Sequence, residues 1–162
     1  KRQELGVSKE KAEMLFKQYH SRVPFVKQLM DNVMQRAQMR GQVRTLLGRL
    51  CRFHLWEPNQ FGIHKPLSHD AALQEHGPGI KRAFTYKALN RLIQGSAADM
   101  TKKAMIQLHR EGITPHIQVH DELDISVDNN ADKIKDIMES AVDLEVPNKV
   151  DYESGPNWGT IK

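Results

Sequence analysis

The stretch Ile113-Thr-Pro-His-Ile-Gln-Val-His-Asp-Glu-Leu-Asp-Ile-Ser-Val127 has a charged centre, His120-Asp121-Glu122, between two segments with apolar residues at alternate positions. Alternation of period two with β-branched residues is typical of half-buried strands. The pattern therefore predicts a strand, a turn and a second strand. We expect His120, Asp121 and Glu122 at the tip of this hairpin.

A carboxylate on a rigid turn suits divalent-metal chemistry, because a hard cation binds oxygen ligands in fixed geometry. Asp121 and Glu122 are thus candidate metal ligands. Taken in isolation, such a tripeptide is more often a plain polar turn. The metal hypothesis consequently depends on what the rest of the chain carries.

The length and composition describe one folded domain. The chain has 162 residues, 39% of them hydrophobic and 27% charged, which is typical of a soluble globular protein. No apolar run approaches the roughly 20 residues that cross a bilayer, so no membrane contact is expected. Lys1–Glu4 show no signal sequence and no initiator Met, as expected of a fragment or a processed product. The single cysteine, Cys51, excludes an internal disulfide.

Charge is distributed unevenly along the chain. Residues 1–52 hold 12 Lys and Arg against 4 Asp and Glu, whereas residues 111–162 hold 4 against 12. A basic first part and an acidic end suit a nucleic-acid track that leads to a cation site. Uneven charge also arises by chance in many soluble proteins.

Residues 1–41 are predicted to form two helices. Ser8 is a candidate cap of the first helix, Pro24 ends it and opens the second, and Gly41 stops the second. Apolar residues recur at three- and four-residue spacing in both segments. We expect an αα-hairpin with a basic exterior.

Basic and apolar residues alternate around Gly48 from residue 42 to residue 53, which predicts a β-hairpin. Arg44, Arg49 and Arg52 would be available to bind phosphates. The alternative, given nearly equal weight, is a solvated edge strand protected by arginines.

Residues 54–79 are predicted to be an irregular insertion, and its four histidines are assigned no role. Helical periodicity then returns from Ile80 to Leu108. Asn90 and Gln94 are four residues apart and therefore share one flank of this helix. Their amides suit minor-groove acceptors, although a plain surface pair is the commoner arrangement. The predicted core face comprises Phe84, Ala88, Leu89, Leu92, Ile93, Ala97, Met100, Ala104 and Leu108.

The small residues Gly95, Ser96, Ala97 and Ala98 make the middle of this helix thin, so another backbone can approach it closely. After the hairpin, Asn129 or Asn130 can cap a last helix, and residues 149–152 are a candidate short strand. The order of elements predicts an α+β fold, with an antiparallel sheet backed by helices.

Four segments occur in an order that resembles the carboxy-terminal part of family A DNA polymerases, the bacterial DNA polymerase I type and its phage relatives. The resemblance covers nearly the whole chain except residues 54–79. It is carried by Thr45-Leu-Leu-Gly-Arg49, Asn90-Arg-Leu-Ile-Gln94-Gly-Ser-Ala-Ala-Asp99 with Lys103-Ala-Met105, Gln118-Val-His-Asp-Glu-Leu123, and Gly155-Pro-Asn-Trp158.

The resemblance implies roles for individual residues. Asp121 is similar to one of the two aspartates that bind the catalytic Mg²⁺ pair, which Mn²⁺ can replace. Glu122 would be a nearby, less essential carboxylate, and His120 would help to place the primer terminus. Asn90 and Gln94 are similar to the residues that contact the minor groove at the terminal base pair.

Where the bacterial enzymes carry an arginine four positions before that asparagine, this chain has Tyr86, followed by Lys87. The contact of that arginine is therefore not carried over, and Tyr86 and Lys87 are the candidate DNA contacts at this place. The remaining DNA contacts implied are those of Arg44, Arg49 and Arg52 with the backbone.

The family relationship also implies an architecture and partners. Residues 1–41 would end the fingers subdomain, and residues 42–162 would be the carboxy-terminal part of the palm. Primer-template DNA and dNTP would be the ligands, in a bacterial or phage-infected cytoplasm. Motif A, with the second metal aspartate, and motif B would lie upstream of residue 1. We expect the chain alone not to polymerise.

Two other functions remain open from the sequence. One is a non-catalytic DNA-binding or interaction module, because a basic surface can bind duplex without chemistry. The other is a metallo-hydrolase with His116, His120 and Asp121. It is disfavoured because an i, i+4 histidine pair binds zinc on a helix, whereas a strand separates the pair by roughly 13 Å.

Overall fold

The computed structural model describes residue 6, residues 8–60 and residues 62–161. Lys1–Glu4, where we expect no signal sequence, lie outside the described residues. The described part comprises five α-helices and six short strands: α1 Lys9–Arg22, α2 Pro24–Arg40, β1 Gln42–Arg44, β2 Leu50–Arg52, β3 Trp56–Pro58, α3 His69–His76, β4 Ile80–Arg82, α4 Ala88–Arg110, β5 Ile117–Val119, β6 Glu122–Asp124 and α5 Ala131–Ser140.

The chain divides into two compact units. Lys1–Arg44 and Leu50–Leu92 form the first unit, whereas Thr45–Arg49 and Ile93–Lys162 form the second. No helix among the described residues is both long enough and apolar enough to cross a membrane.

The first unit opens with the predicted helix pair, whose boundaries follow from three local signals. The hydroxyl of Ser8 accepts a hydrogen bond from the Lys11 amide at 3.3 Å and caps α1. Pro24 is at the start of α2, where the missing N–H costs nothing. Gly41 ends α2 at φ 67°, a left-handed conformation that glycine adopts without strain. The predicted αα-hairpin is confirmed.

The core of the first unit forms where α2 meets the following hairpin. Val33 and Ala37 of α2 pack with Val43, Phe53 and Ala88, all of them buried. Strands β1 and β2 pair antiparallel with Gln42 opposite Arg52, as the alternation around Gly48 predicts.

The described residues of the segment 54–79 include a strand, β3, and a helix, α3, so the prediction of an irregular insertion is wrong. Strand β3 pairs with β4, α3 lies between them in sequence, and Leu67 bridges to Trp56. Contacts between distant residues organise the segment. The Arg82 guanidinium lies 4.5 Å from the Trp56 ring centroid, and the His69 ring meets the same indole edge to face at 4.9 Å.

Helix α4 begins eight residues later than the predicted start at Ile80. Residues Ile80–Arg82 form β4 because they pair with β3, and Phe84 then turns the chain at φ 62° before a 3₁₀ turn at Thr85–Lys87. The long-range strand pairing overrides the local helical periodicity.

The predicted core face of α4 is correct at some positions and wrong at others. Ala88, Ala104 and Leu108 are buried, whereas Ile93 is 53% exposed and Ala97 is exposed. Asp99 and Thr101 are buried in the middle of the helix instead. The buried flank in the middle of α4 is therefore polar.

The second unit has its own apolar cluster. Leu108, Ile113 and Ile134 are buried together, so the end of α4 packs against α5. The Lys133 ammonium reaches the Glu111 carboxylate at 2.8 Å beside this cluster. The residues that complete the cluster are Leu123, Ile125, Ile137 and Met138.

The predicted α+β fold is confirmed, with helices and antiparallel strands. The described strands form three separate pairs, β1–β2, β3–β4 and β5–β6. The predicted strand at residues 149–152 is wrong, since that segment has no strand partner. Asn130 is at the start of α5 as predicted, but its side chain makes no capping hydrogen bond.

Arg82 is predicted to stabilise the first unit through two hydrogen bonds that its guanidinium donates to backbone carbonyls. Nε donates to the Gln38 carbonyl at 3.1 Å and Nη1 to the Phe53 carbonyl at 2.9 Å. A lysine cannot make both bonds, so Arg82→Lys should lower the free energy of unfolding by roughly 1–3 kcal/mol. Urea unfolding would measure the loss. Arg36→Lys, at an exposed site on α2, is the control, and an equal effect of the two substitutions would contradict the prediction.

Candidate metal and nucleic-acid contacts

The hairpin predicted from the alternating stretch is confirmed. Strands β5 and β6 pair antiparallel with Val119 opposite Glu122, so His120 and Asp121 form a two-residue turn. His120 adopts φ 53°, and its carbonyl accepts a hydrogen bond from Nε2 of the Gln118 side chain at 2.9 Å. Glu122 is the first residue of β6 and not part of the turn, which corrects its predicted placement at the tip.

The two faces of this hairpin differ in environment. Cross-strand partners share a face, so Gln118 lies with Leu123, and Leu123 packs against the apolar cluster of the second unit. The opposite face carries Val119 beside Glu122, and Val119 is 38% exposed. One face therefore anchors the hairpin, while the side chains of Asp121 and Glu122 remain exposed to solvent.

The exposed carboxylates have the donor chemistry of a Mg²⁺ ligand. Asp121 in the turn and Glu122 at the start of β6 are adjacent in sequence and offer hard oxygen atoms at the end of an anchored hairpin. Within the described residues, no group of three or more His, Cys, Asp or Glu side chains could hold a metal ion. The two residues thus fit as part of a ligand set and do not complete one.

The predicted minor-groove residues lie on α4. Asn90 and Gln94 are both exposed and four residues apart, the spacing that places two side chains on one flank of a helix. Tyr86 and Lys87 precede the helix in the 3₁₀ turn, and both are exposed. The Lys87 ammonium lies 5.6 Å from the centroid of the Tyr86 ring.

The three predicted phosphate-binding arginines differ in their surroundings. Arg44 of β1 and Arg52 of β2 are exposed on their strands. Arg49 is in the loop between these strands, and its guanidinium contacts α4. Its Nε donates to the Asp99 carboxylate at 2.7 Å and Nη2 donates to the Gly95 carbonyl at 2.9 Å. About half of the Arg49 side chain, 47%, remains exposed.

Sequence reasoning gave no role to Asp99, a buried carboxylate with two side-chain hydrogen-bond donors. It is 7% exposed and accepts hydrogen bonds from the Thr45 hydroxyl and from Arg49. Burial by itself would raise the pKa of Asp99. The bonds from Thr45 and Arg49 and the charges of Arg49 and Lys102 outweigh burial, so this pKa lies below its usual range.

The loop of residues 45–49 confirms that another backbone approaches the thin part of α4. The backbone amide of Leu46 donates to the Ser96 hydroxyl at 2.9 Å, and Ser96 directly follows Gly95, whose carbonyl accepts from Arg49. Both residues on the helix are small, which lets the loop reach the helix backbone. The Thr-Leu-Leu-Gly-Arg and Gly-Ser-Ala-Ala-Asp segments are the signal that could have predicted this contact.

The chain matches the family model "DNA polymerase family A" over residues 2–160. With an α+β fold that carries an acidic hairpin turn and a long amide-bearing helix, it belongs to the family A DNA polymerases. It is 38% identical to a DNA-directed DNA polymerase of Pseudomonas phage M6 over 87% of its length. It is 34% identical to DNA polymerase I of Geobacillus stearothermophilus over 99% of its length.

A solved structure with a similar fold is the POL domain of Pol1 from M. smegmatis, in complex with DNA primer-template and dNTP. The superposition has a TM-score of 0.61 at 29% identity and covers 90% of this chain and 25% of that one. The aligned stretch is 18% of the length of each of the phage and Geobacillus proteins. This chain thus corresponds to about a fifth of those two relatives.

Removal of the Asp99 charge should destabilise the second unit in a pH-dependent way. A carboxyl with a lowered folded-state pKa contributes stability above its unfolded value, near pH 3.9, and that stability is lost as pH falls through the folded pKa. Asp99→Asn should therefore cost roughly 2–3 kcal/mol at pH 7, because Arg49 loses its charged partner. Thermal unfolding from pH 7 to pH 3 would measure the difference, which should shrink on acidification. Asp128→Asn, at an exposed site, is the control.

Proposed function

We propose that this chain supplies the carboxy-terminal part of the palm of a template-directed DNA polymerase, which adds nucleotides from dNTP to a primer 3′-hydroxyl. The observation that carries the proposal is the hairpin turn, which exposes Asp121 and Glu122 while Leu123 anchors it in a core. An exposed carboxylate on an anchored turn has the geometry that a metal ligand needs. Membership of the family A polymerases supports the assignment.

In the proposed reaction the primer 3′-oxygen forms a bond to the α-phosphorus, and the bond to the β-phosphate oxygen breaks to release pyrophosphate. Two Mg²⁺ ions, when bound, would lower the pKa of the attacking hydroxyl and neutralise charge on the leaving group. Asp121 would be one of the carboxylates that hold the ions, and Glu122 would be an accessory one. His120, whose carbonyl is held by Gln118, would position the primer terminus.

The remaining ligands are proposed to come from a polymerase segment that carries motifs A and B. Asp121 and Glu122 do not complete a ligand set among the described residues. We therefore propose that the chain alone does not extend primers. Residues 1–41 would contribute to the fingers and residues 42–162 to the palm, with a bacterial or phage-infected cytoplasm as the place of action.

Asn90 and Gln94 are proposed to contact the minor groove at the primer terminus. The groove presents acceptors at similar positions in every Watson–Crick pair, so an amide donor can test pair shape without reading sequence. Their exposure on α4 and their spacing support this role. Arg44, Arg52 and the exposed part of Arg49 would hold backbone phosphates.

The second candidate function is a DNA-binding module without catalysis, favoured by the excess of Lys and Arg over Asp and Glu in residues 1–52. Salt-dependent duplex binding that ignores Mg²⁺ and dNTP would support it. The metallo-hydrolase is not supported, since β5 separates His116 from His120 and the His116 ring lies 3.0 Å from the Ser126 hydroxyl.

Asp121 is predicted to be required for synthesis in a reconstituted enzyme. The chain mixed with a family A segment that carries motifs A and B should extend a labelled primer, and Asp121→Asn should abolish extension because it removes a metal ligand. Asp128→Asn, an exposed aspartate outside the turn, should leave extension unchanged. Extension by the unmixed chain, or by the mixture with Asp121→Asn, would refute the proposal.

Gln94 is predicted to contribute to primer-terminus binding independently of the terminal base pair. In the same mixture, Gln94→Ala should lower the efficiency of extension about tenfold, the loss of one hydrogen bond of roughly 1.4 kcal/mol. The loss should be similar for all four terminal pairs, because the groove acceptors are similar. Gln28→Ala, at an exposed glutamine of α2, is the control. A loss of extension efficiency at only one of the four terminal pairs would contradict the proposal that Gln94 tests the shape of the pair.

A further inference from the structure

A histidine of the segment 54–79 is held by a buried carboxylate. Glu57 of β3 is 2% exposed, and its carboxylate lies 3.3 Å from Nδ1 of His64. A buried carboxylate is costly unless it is paired, so the ring of His64 serves as its partner. When Nδ1 donates to the carboxylate, the ring orientation is set, and Nε2 on the other edge remains for a second partner.

The orientation of this ring matters because of what lies beside it. The His64 side chain is 59% exposed, and its ring centroid lies 6.1 Å from that of Tyr86. Lys87 is the next residue and lies against the same tyrosine ring. All of these residues belong to the first unit. An exposed imidazole edge, a phenol and an ammonium group therefore lie together.

We propose that His64, oriented by Glu57, binds a phosphodiester oxygen of the primer-template duplex together with Lys87. This inference rests on the proposed function, because it needs the primer-template duplex as the ligand of this chain. A protonated imidazole donates from both nitrogens, so Nδ1 serves Glu57 while Nε2 serves the phosphate. The segment would thereby provide a cationic donor beside Tyr86.

The test is equilibrium binding of a fluorescein-labelled primer-template duplex to the 162-residue chain, by anisotropy over a range of NaCl concentrations. His64→Ala should weaken binding about threefold to tenfold and reduce the slope of log K against log salt by about one. His54→Ala, at an exposed histidine of the same segment, should change neither. An affinity loss with an unchanged slope would overturn the phosphate assignment.

The substitution Glu57→Gln distinguishes the effect of Glu57 on the orientation of the His64 ring from its effect on the charge of the chain. It removes a negative charge, so long-range attraction alone would strengthen DNA binding, whereas loss of the carboxylate that holds His64 should weaken it. His64→Arg keeps a cationic donor within reach of Glu57 and should retain near-normal affinity and slope. Circular dichroism would verify that each variant is folded. Tighter binding by a folded Glu57→Gln variant would overturn the role of Glu57.

The outcomes distinguish this inference from the function on which it rests. If the unmodified chain does not bind the duplex, the phosphate contact of His64 is overturned, whereas the polymerase role is decided by primer extension in the mixture. If it binds and Gln94→Ala weakens binding, but His64→Ala behaves like His54→Ala, only the role of His64 is overturned.

Discussion

The buried carboxylate of Asp99 is the polar group on which the arrangement of the second unit depends. Asp99 lies in the middle of α4, where an uncompensated charge would cost several kcal/mol. Thr45 and Arg49 provide the compensation, and both belong to one short loop. The carboxylate therefore determines where that loop lies on the helix. The Leu46 bond to Ser96 and the Arg49 bond to Gly95 follow from the same placement.

In the β5–β6 hairpin, one face is anchored in a core and the turn is exposed to solvent. Leu123 packs in the apolar cluster, and the strand pairing then determines where His120 and Asp121 lie. The carboxylate of Asp121 gains no internal partner from this arrangement and remains in solvent. Asp99 and Asp121 thus lie in opposite surroundings, one buried and one exposed. A carboxylate that is satisfied inside the protein stabilises the fold, whereas an exposed one on a fixed turn is available to a cation.

Local patterns predicted the elements that depend on neighbouring residues. Ser8, Pro24 and Gly41 bounded the helix pair correctly, and alternation predicted the hairpin at Asp121. The segment 54–79 was not predictable in this way. Its order comes from contacts between residues far apart in sequence, such as Trp56 with Arg82, and residues 80–82 form a strand because β3 pairs with them. For the candidate site, motifs nominate exposed residues whose roles stay predictions, whereas the Asp99 pairing needed coordinates.

The arrangement of arginines also shows why net charge overstates the capacity to contact DNA. Arg82 donates to the Gln38 and Phe53 carbonyls, and Arg91 donates to the Arg52 carbonyl at 3.3 Å. These guanidinium groups keep their charge, so they still attract a polyanion within a Debye length of roughly 8–10 Å. Arg49 differs, because Asp99 cancels its charge at short range. The number of basic residues therefore indicates how strongly the chain attracts a polyanion at a distance. Direct contact with phosphates depends on the basic side chains that the fold leaves exposed.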